Sequence, residues 1–311
     1  MTQTIAPLFL SHGSPMTALE PREAGAFWQR LGPAVAAAST RPRAILAISA
    51  HSLTREPVLM AAARHSTVHD FSGFPEPLYR LRYDAPGAPA LAPRAAALVA
   101  AAGLPIHTST EGGLDHGIWA PLRFIWPEAD IPVLPLAFPP DWRPVQLFAL
   151  GQALAPLADE GVLIYASGSL THNLALVFSG ARPPINAPEI AESAAFRRWF
   201  AERSAAADWP ALLDYRRQAP HGVLMHPTDE HLLPFYVAAG AGAGHAAGML
   251  PAERRLHDSL TYGCLAMDAY AFGPAANALA EALVDAPVDA LVDRPANGST
   301  GGPAGLAPAL A

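Results

Sequence analysis

The chain has 311 residues and a mass of 32.6 kDa, with 51% hydrophobic and 15% charged residues, enough apolar material for one large buried core. A formal net charge of −7, a pI near 5.9 and the lack of a clustered basic run exclude a nucleic-acid surface and an electrostatic grip on anionic lipid. The single cysteine, Cys264, excludes an intrachain disulfide framework and thiolate-based zinc or iron–sulfur sites, fits a reducing compartment, and reads as a packed small hydrophobe.

The N-terminal stretch MTQTIAPLFLSHGSP has a short apolar run with no basic region before it, so it reads as a first strand instead of a signal peptide. No stretch of about 18 residues is free of polar interruption, which argues against a membrane span. A soluble, cytoplasmic protein is the expectation. Strands are expected over residues 7–10, 44–49, 131–138 and 162–167, each continuously apolar as in a sheet buried on both faces. Helices are expected near residues 22–31, 90–102, 143–158, 188–206 and 231–239, and the apolar segment 259–272 as one more strand. This alternation predicts an α/β fold: a single domain with a central, mostly parallel sheet flanked by helices. Residues 183–188 and the glycine-rich 240–248 read as surface connections. Residues 1–273 form the expected catalytic domain. The Ala/Pro/Gly-rich 274–311 has little apolar surface to offset ordering entropy and reads as a largely disordered tail.

The chemistry-bearing residues are histidines, 12 in all. His12 (LFLSHGSP), His51 (ILAISAHS) and His172 (VLIYASGSLTHN) each come just after a predicted strand, and in an open α/β sheet the carboxyl ends of strands are where functional groups gather. Any one of them could be a hydrogen-bonded loop histidine; three at independent strand ends point to convergence on an ion, for which imidazole is a common neutral ligand. His116 (GGLDHGIWAPL) and His231 (HPTDEHLLPFY) are further candidates. Thr228 could cap a helix carrying His231 in its first turn, and Glu230 is the rival ligand there. His69 and His226 are the others that could join; the remaining histidines suit surface or packing roles. Ser14 lies near His12, but G-x-S-x-G is absent, and GAGAGHAAG follows a helix and so makes a poor phosphate loop.

Together the strings LFLSHGSPM, ISAHS, HDFSGFPEPLYRLRYDAPG, GLDHGIWAPLRFIWPEADIPV, ASGSLTHNL and PTDEHLLPFYVAAGA, in this order over roughly residues 8–270, resemble the class III extradiol ring-cleavage dioxygenases of the 4,5-DOPA dioxygenase type. The resemblance implies a non-haem, metal-dependent enzyme that opens a catechol ring, DOPA-like or another catecholic acid, with O2 to a semialdehyde. It implies metal ligands at His12, His51 and His231, an acid–base histidine at His172 that is sometimes counted as a fourth ligand, and a substrate- or oxygen-contacting histidine at His116. Where related protocatechuate-type enzymes use a glutamate, this chain has His231 beside Glu230; Fe(II) is the expected ion, and Zn(II) stays open as the alternative. Phe71, Phe74 and Tyr79 would line the substrate pocket, and Arg82 or Arg80 would meet a carboxylate. A zinc-dependent hydrolase and a non-catalytic metal-binding protein on the same scaffold are the alternatives. Expected partners are a small catechol and O2, with no nucleic acid and no membrane; a homo-oligomer is compatible with the sequence.

Overall fold

In the computed structural model, which describes residues 4–244 and 253–286, the continuously apolar segments become the centre of an eight-stranded sheet. Its strands are β1 (Leu8–Ser11), β2 (Ala44–Leu53), β3 (Val58–Met60), β4 (His107–Ser109), β5 (Val133–Phe138), β6 (Val162–Gly168), β7 (Glu253–His257) and β8 (Ala269–Phe272). Their order is β4-β3-β5-β2-β6-β1-β8-β7. The four central strands β5, β2, β6 and β1 run parallel, while β8 joins β1, and β3 joins β5, antiparallel. All four carboxyl ends of the parallel centre therefore open on one rim.

Alternate residues of these strands feed two separate cores. Leu8, Leu10, Ile45, Ala47, Leu163 and Tyr165 face one side, Phe9, Leu46, Ile48 and Ile164 the other. The first side is covered by α1 (Arg22–Ala38), α3 (His116–Ile125) and α7 (Ala276–Asp285), through Phe27 and Trp28, Ile118 and Leu122, and Leu279 and Leu283. The second is covered by α2 (Ala92–Ala101), α4 (Pro144–Leu154), α5 (Ala191–Ala205) and α6 (Leu233–Ala243). Burial on both faces is what the unbroken apolar runs require.

Several expectations are corrected. Segment 259–272 is not one strand: Tyr262 and Gly263, at φ +54° and +70°, turn the chain into a small hairpin (Leu260–Thr261 with Leu265–Ala266) before β8. The glycine-rich stretch from 240 is not a surface connection at its start. It completes α6 and is buried, and a Cβ on Gly240 would lie 2.0 Å from the Phe148 carbonyl oxygen, so only glycine lets α6 and α4 approach this closely. The helix of 143–158 stops at Leu154 and restarts at Pro156, which has no N–H to continue it. Helix α3, masked in the sequence by Gly117 and Pro121, starts from an Asp115 N-cap. The beginning of the expected tail, Ala276–Asp285, is helix α7 packed on α1; the expected disorder of 293–311 falls outside the described residues.

Candidate metal centre

Three chain segments deliver histidines to the rim where the parallel strands end. His12 follows β1 directly, its N–H donating to the Gly168 carbonyl at 3.0 Å and so extending the β1–β6 ladder by one step. His51 lies inside β2, in the stretch between Ile48 and Leu53 where pairing with β5 loses register. Such an irregularity re-aims side chains at the end of a strand. His231 lies in a turn ahead of α6 instead of in its first helical turn, and Thr228 bonds Glu230 at 3.0 Å without capping the helix. The turn is held by the Asp229 carbonyl, which accepts from Leu232 and Leu233, and by the Asp229 carboxylate, bonded to Tyr215 and Arg216. Gly168 makes room for it: a Cβ there would lie 2.1 Å from the His231 carbonyl oxygen.

The imidazoles meet. His51 Nε2 is 3.1 Å from His12 Nε2 and 3.3 Å from His231 Nε2. The outward nitrogens all face acceptors. His12 Nδ1 lies 2.9 Å from Ser167 Oγ, whose own proton goes to the Gly117 carbonyl at 2.5 Å, so the hydroxyl accepts from the ring. His51 Nδ1 lies 3.3 Å from Asp70 Oδ2, and His231 Nδ1 lies 3.0 Å from Glu230 Oε1. A neutral imidazole has one N–H, and these partners keep it on Nδ1. Each Nε2 then points a lone pair at the others. Such an arrangement is repulsive unless a cation lies between them. Nitrogens held at about 2.1 Å from one ion stand roughly 3.0–3.4 Å apart for cis-octahedral to tetrahedral angles, which brackets the observed separations. The donor set therefore fits a divalent ion with the supporting partners typical of histidine ligation.

Electrostatics favour a metal over a shared proton. Burial, reinforced by the neighbouring imidazoles, drives His12 and His231 well below the ordinary histidine range. His51 is lowered by burial and by His116, with Asp115, Asp70 and Glu230 pulling the other way. His172 stacks on His231 at 3.4 Å between ring centroids, and burial pushes it down to about 4. It is neutral at pH 7, with a lone pair to accept a proton.

His116 completes the cluster. Its ring centroid is 4.1 Å from that of His51, and one nitrogen from each of His12, His51 and His116 lies within 4.8 Å of the others. His172, Glu230 and His231 form a second such group. Asp115 braces both sides: its carboxylate accepts from Ser49 and Ser52, which flank His51, at 2.6 Å each, and from the Ile118 N–H at the start of α3. Asp70 accepts from the His116 backbone at 2.9 Å and faces its Nδ1 at 2.8 Å. Asp70, Asp115 and Ser167 were not singled out in the sequence. The adjacency of acidic residues to histidine in HDF and LDH was the available signal, but carboxylates beside histidines are common.

Of the expected pocket residues, Phe71 packs edge-on against His116 at 5.7 Å, with Phe74 and Tyr79 behind it at 5.3 and 5.4 Å. Arg82 and Arg80 are not brought into this group. They pair with Asp84 and Glu76 at 3.2 and 2.5 Å, with side chains 57% and 76% exposed. His69 bonds the Leu81 carbonyl and His226 the Leu170 carbonyl, so both hold backbone.

Residues 7–273 match the family described as the catalytic LigB subunit of aromatic ring-opening dioxygenase. The chain belongs to this family. It is 38% identical over 266 residues to a 4,5-DOPA dioxygenase extradiol of Beta vulgaris, covering 85% of this chain and 95% of that one. A protein of the same description from Escherichia coli K12 is 37% identical over 256 residues, covering 81% and 91%. A crystal structure of an uncharacterized Escherichia coli K12 protein superposes with a TM-score of 0.69 at 31% identity, covering 86% of this chain and all of that one. This ring-opening dioxygenase is thus a class III extradiol enzyme of the DOPA type and is metal-dependent, and the described residues include no helix long and apolar enough to cross a membrane.

Proposed function

We propose that His12, His51 and His231 hold one divalent ion through Nε2, and that the enzyme opens the ring of a DOPA-like or other catecholic acid beside its hydroxyls, giving a semialdehyde. The observation that carries this reading is the convergence of three acceptor nitrogens, 3.1 and 3.3 Å apart, with the other ring nitrogen of His12 and of His231 hydrogen-bonded to Ser167 and Glu230 and that of His51 facing the Asp70 carboxylate at 3.3 Å. Fe(II) is the favoured ion because, when bound, it offers open positions to the catechol oxygens and to O2 and can pass an electron between them.

The protein's own work is positioning and proton transfer. Loss of the second catechol proton is difficult at neutral pH, and His172, stacked beside His231, is the base that takes it. General acid–base help of this kind is typically worth about 10²–10⁴-fold. His116 stands on the other side of His51, against Phe71, where it meets a substrate hydroxyl or the developing oxygen anion. Phe71, with Phe74 and Tyr79 behind it, walls the aromatic ring. Arg82 reaches a substrate carboxylate only by leaving Asp84. A cytoplasmic location fits the free thiol of Cys264.

The test is anaerobic loading with Fe(II), followed by oxygen uptake against a panel of catechols. The expected result is one O2 consumed per catechol and a yellow semialdehyde. A protein that holds only zinc, ignores catechols and hydrolyses esters or amides would overturn the proposed reaction.

A further inference from the structure

Asp70 is the one carboxylate among the described residues that touches two of the clustered imidazoles, and the two have different jobs. Its Oδ1 accepts the His116 backbone N–H at 2.9 Å, and its Oδ2 faces both His116 Nδ1, at 2.8 Å, and His51 Nδ1, at 3.3 Å. The loop that carries it is pinned to the start of α3 by neighbouring Val68, whose N–H donates to the Leu114 carbonyl and whose carbonyl accepts from Trp119 Nε1.

We infer that Asp70 is a positioning residue that locks the tautomers of two histidines at once, keeping Nε2 of His51 free for the ion and Nε2 of His116 free to accept a substrate hydroxyl. This rests on the reading of His51 as a ligand. An ionised carboxylate can only accept, so a ring nitrogen facing it carries the proton. Both imidazoles must then be unprotonated on Nε2. Among the described residues no protein group bonds His116 Nε2, so its lone pair has no protein donor. Of the two roles open to His116, holding a hydroxyl by accepting its proton is the one this tautomer supports; a donor to an oxygen anion needs the opposite tautomer or an added proton.

The geometry makes Asp70→Asn a sharp test. The His116 backbone N–H cannot rotate away, so the amide oxygen must face it, and the NH2 group is then turned toward both Nδ1 atoms. Each ring has to accept there and move its proton to Nε2. Nitrogen NMR of the histidine rings in the metal-free protein reads the tautomers directly, and chelator competition with Zn(II) reads the affinity. In the wild type both His51 and His116 should carry the proton on Nδ1. Asp70→Asn should shift both to Nε2–H and weaken Zn(II) by about 10–100-fold, as loss of such supporting partners typically does. Asp115→Asn, which bears on the same helix start but on neither ring, should leave the tautomers unchanged. Nε2–H on either wild-type ring overturns the inference, and does so even if Asp70→Asn fails to fold. So does an Asp70→Asn protein with unaltered tautomers and Zn(II) affinity. Should the wild type take up no divalent ion while its rings show the stated tautomers, the metal reading fails and the lock itself stands.

Discussion

His226 and His231 lie on one loop, five positions apart, and both are almost fully buried, yet their neighbourhoods differ in kind. His226 donates Nε2–H to the Leu170 carbonyl at 2.8 Å, rests against Phe196 and Tyr215, and leaves Nδ1 without a partner. Its unprotonated nitrogen faces nothing that needs an ion. His231 is turned the other way: Nδ1 is committed to Glu230, and Nε2 confronts the Nε2 of His51. Burial and residue type are shared, so neither makes a site. What does is the direction of the lone pair, set by which ring nitrogen the protein supplies with an acceptor.

Substitutions on the two sides should therefore part company. The largest effect is expected for His51→Ala, which removes the nitrogen that bridges the other two; metal content after Fe(II) or Zn(II) loading should fall from one ion per chain to near none, with activity lost. Gly168→Ala should act on the same property through the backbone, because its new methyl would meet the His231 carbonyl oxygen; weaker Zn(II) binding in a chelator competition is the readout. His172→Ala should keep the ion and lose ring opening by about 10²–10⁴-fold, seen as normal metal content with slow oxygen uptake. Unchanged turnover would remove His172 from the mechanism.

On the structural side, His226→Leu strands the Leu170 carbonyl and should cost about 1–3 kcal/mol in denaturant unfolding while leaving metal content intact. The pH dependence sharpens this. Burial lowers both His226 and His172 to about 4, whereas in the unfolded chain they titrate near the ordinary 6.5. Between those values the unfolded state binds more protons, so the stability of the metal-free protein should be fully present above pH 6.5 and fall as the pH drops toward 4. For a group as buried as His226 this is at most about 3 kcal/mol. His226→Leu should make the acid loss shallower; an unaltered slope would mean that His226 does not carry it.

The sequence by itself determined the class of fold, because the apolar runs at 7–10, 44–49, 131–138 and 162–167 suit strands covered on both faces, and the structure has strands over most of each. It also placed His12 and His51 at one rim, since parallel strands end on the same side. The edge strands β4 and β7, and the short β3 beside β4, went unread because half-exposed pairing leaves only a weak polar–apolar pattern. Helix α3 went unread because its burial tolerates the Gly117 and Pro121 that an exposed helix would not. Only tertiary structure decided which of the 12 histidines share a site and which way each ring is turned. Those choices are made by Asp70, Ser167 and Glu230, two of them distant in sequence from the rings they hold, and a hydrogen bond across the fold leaves no local trace in the chain.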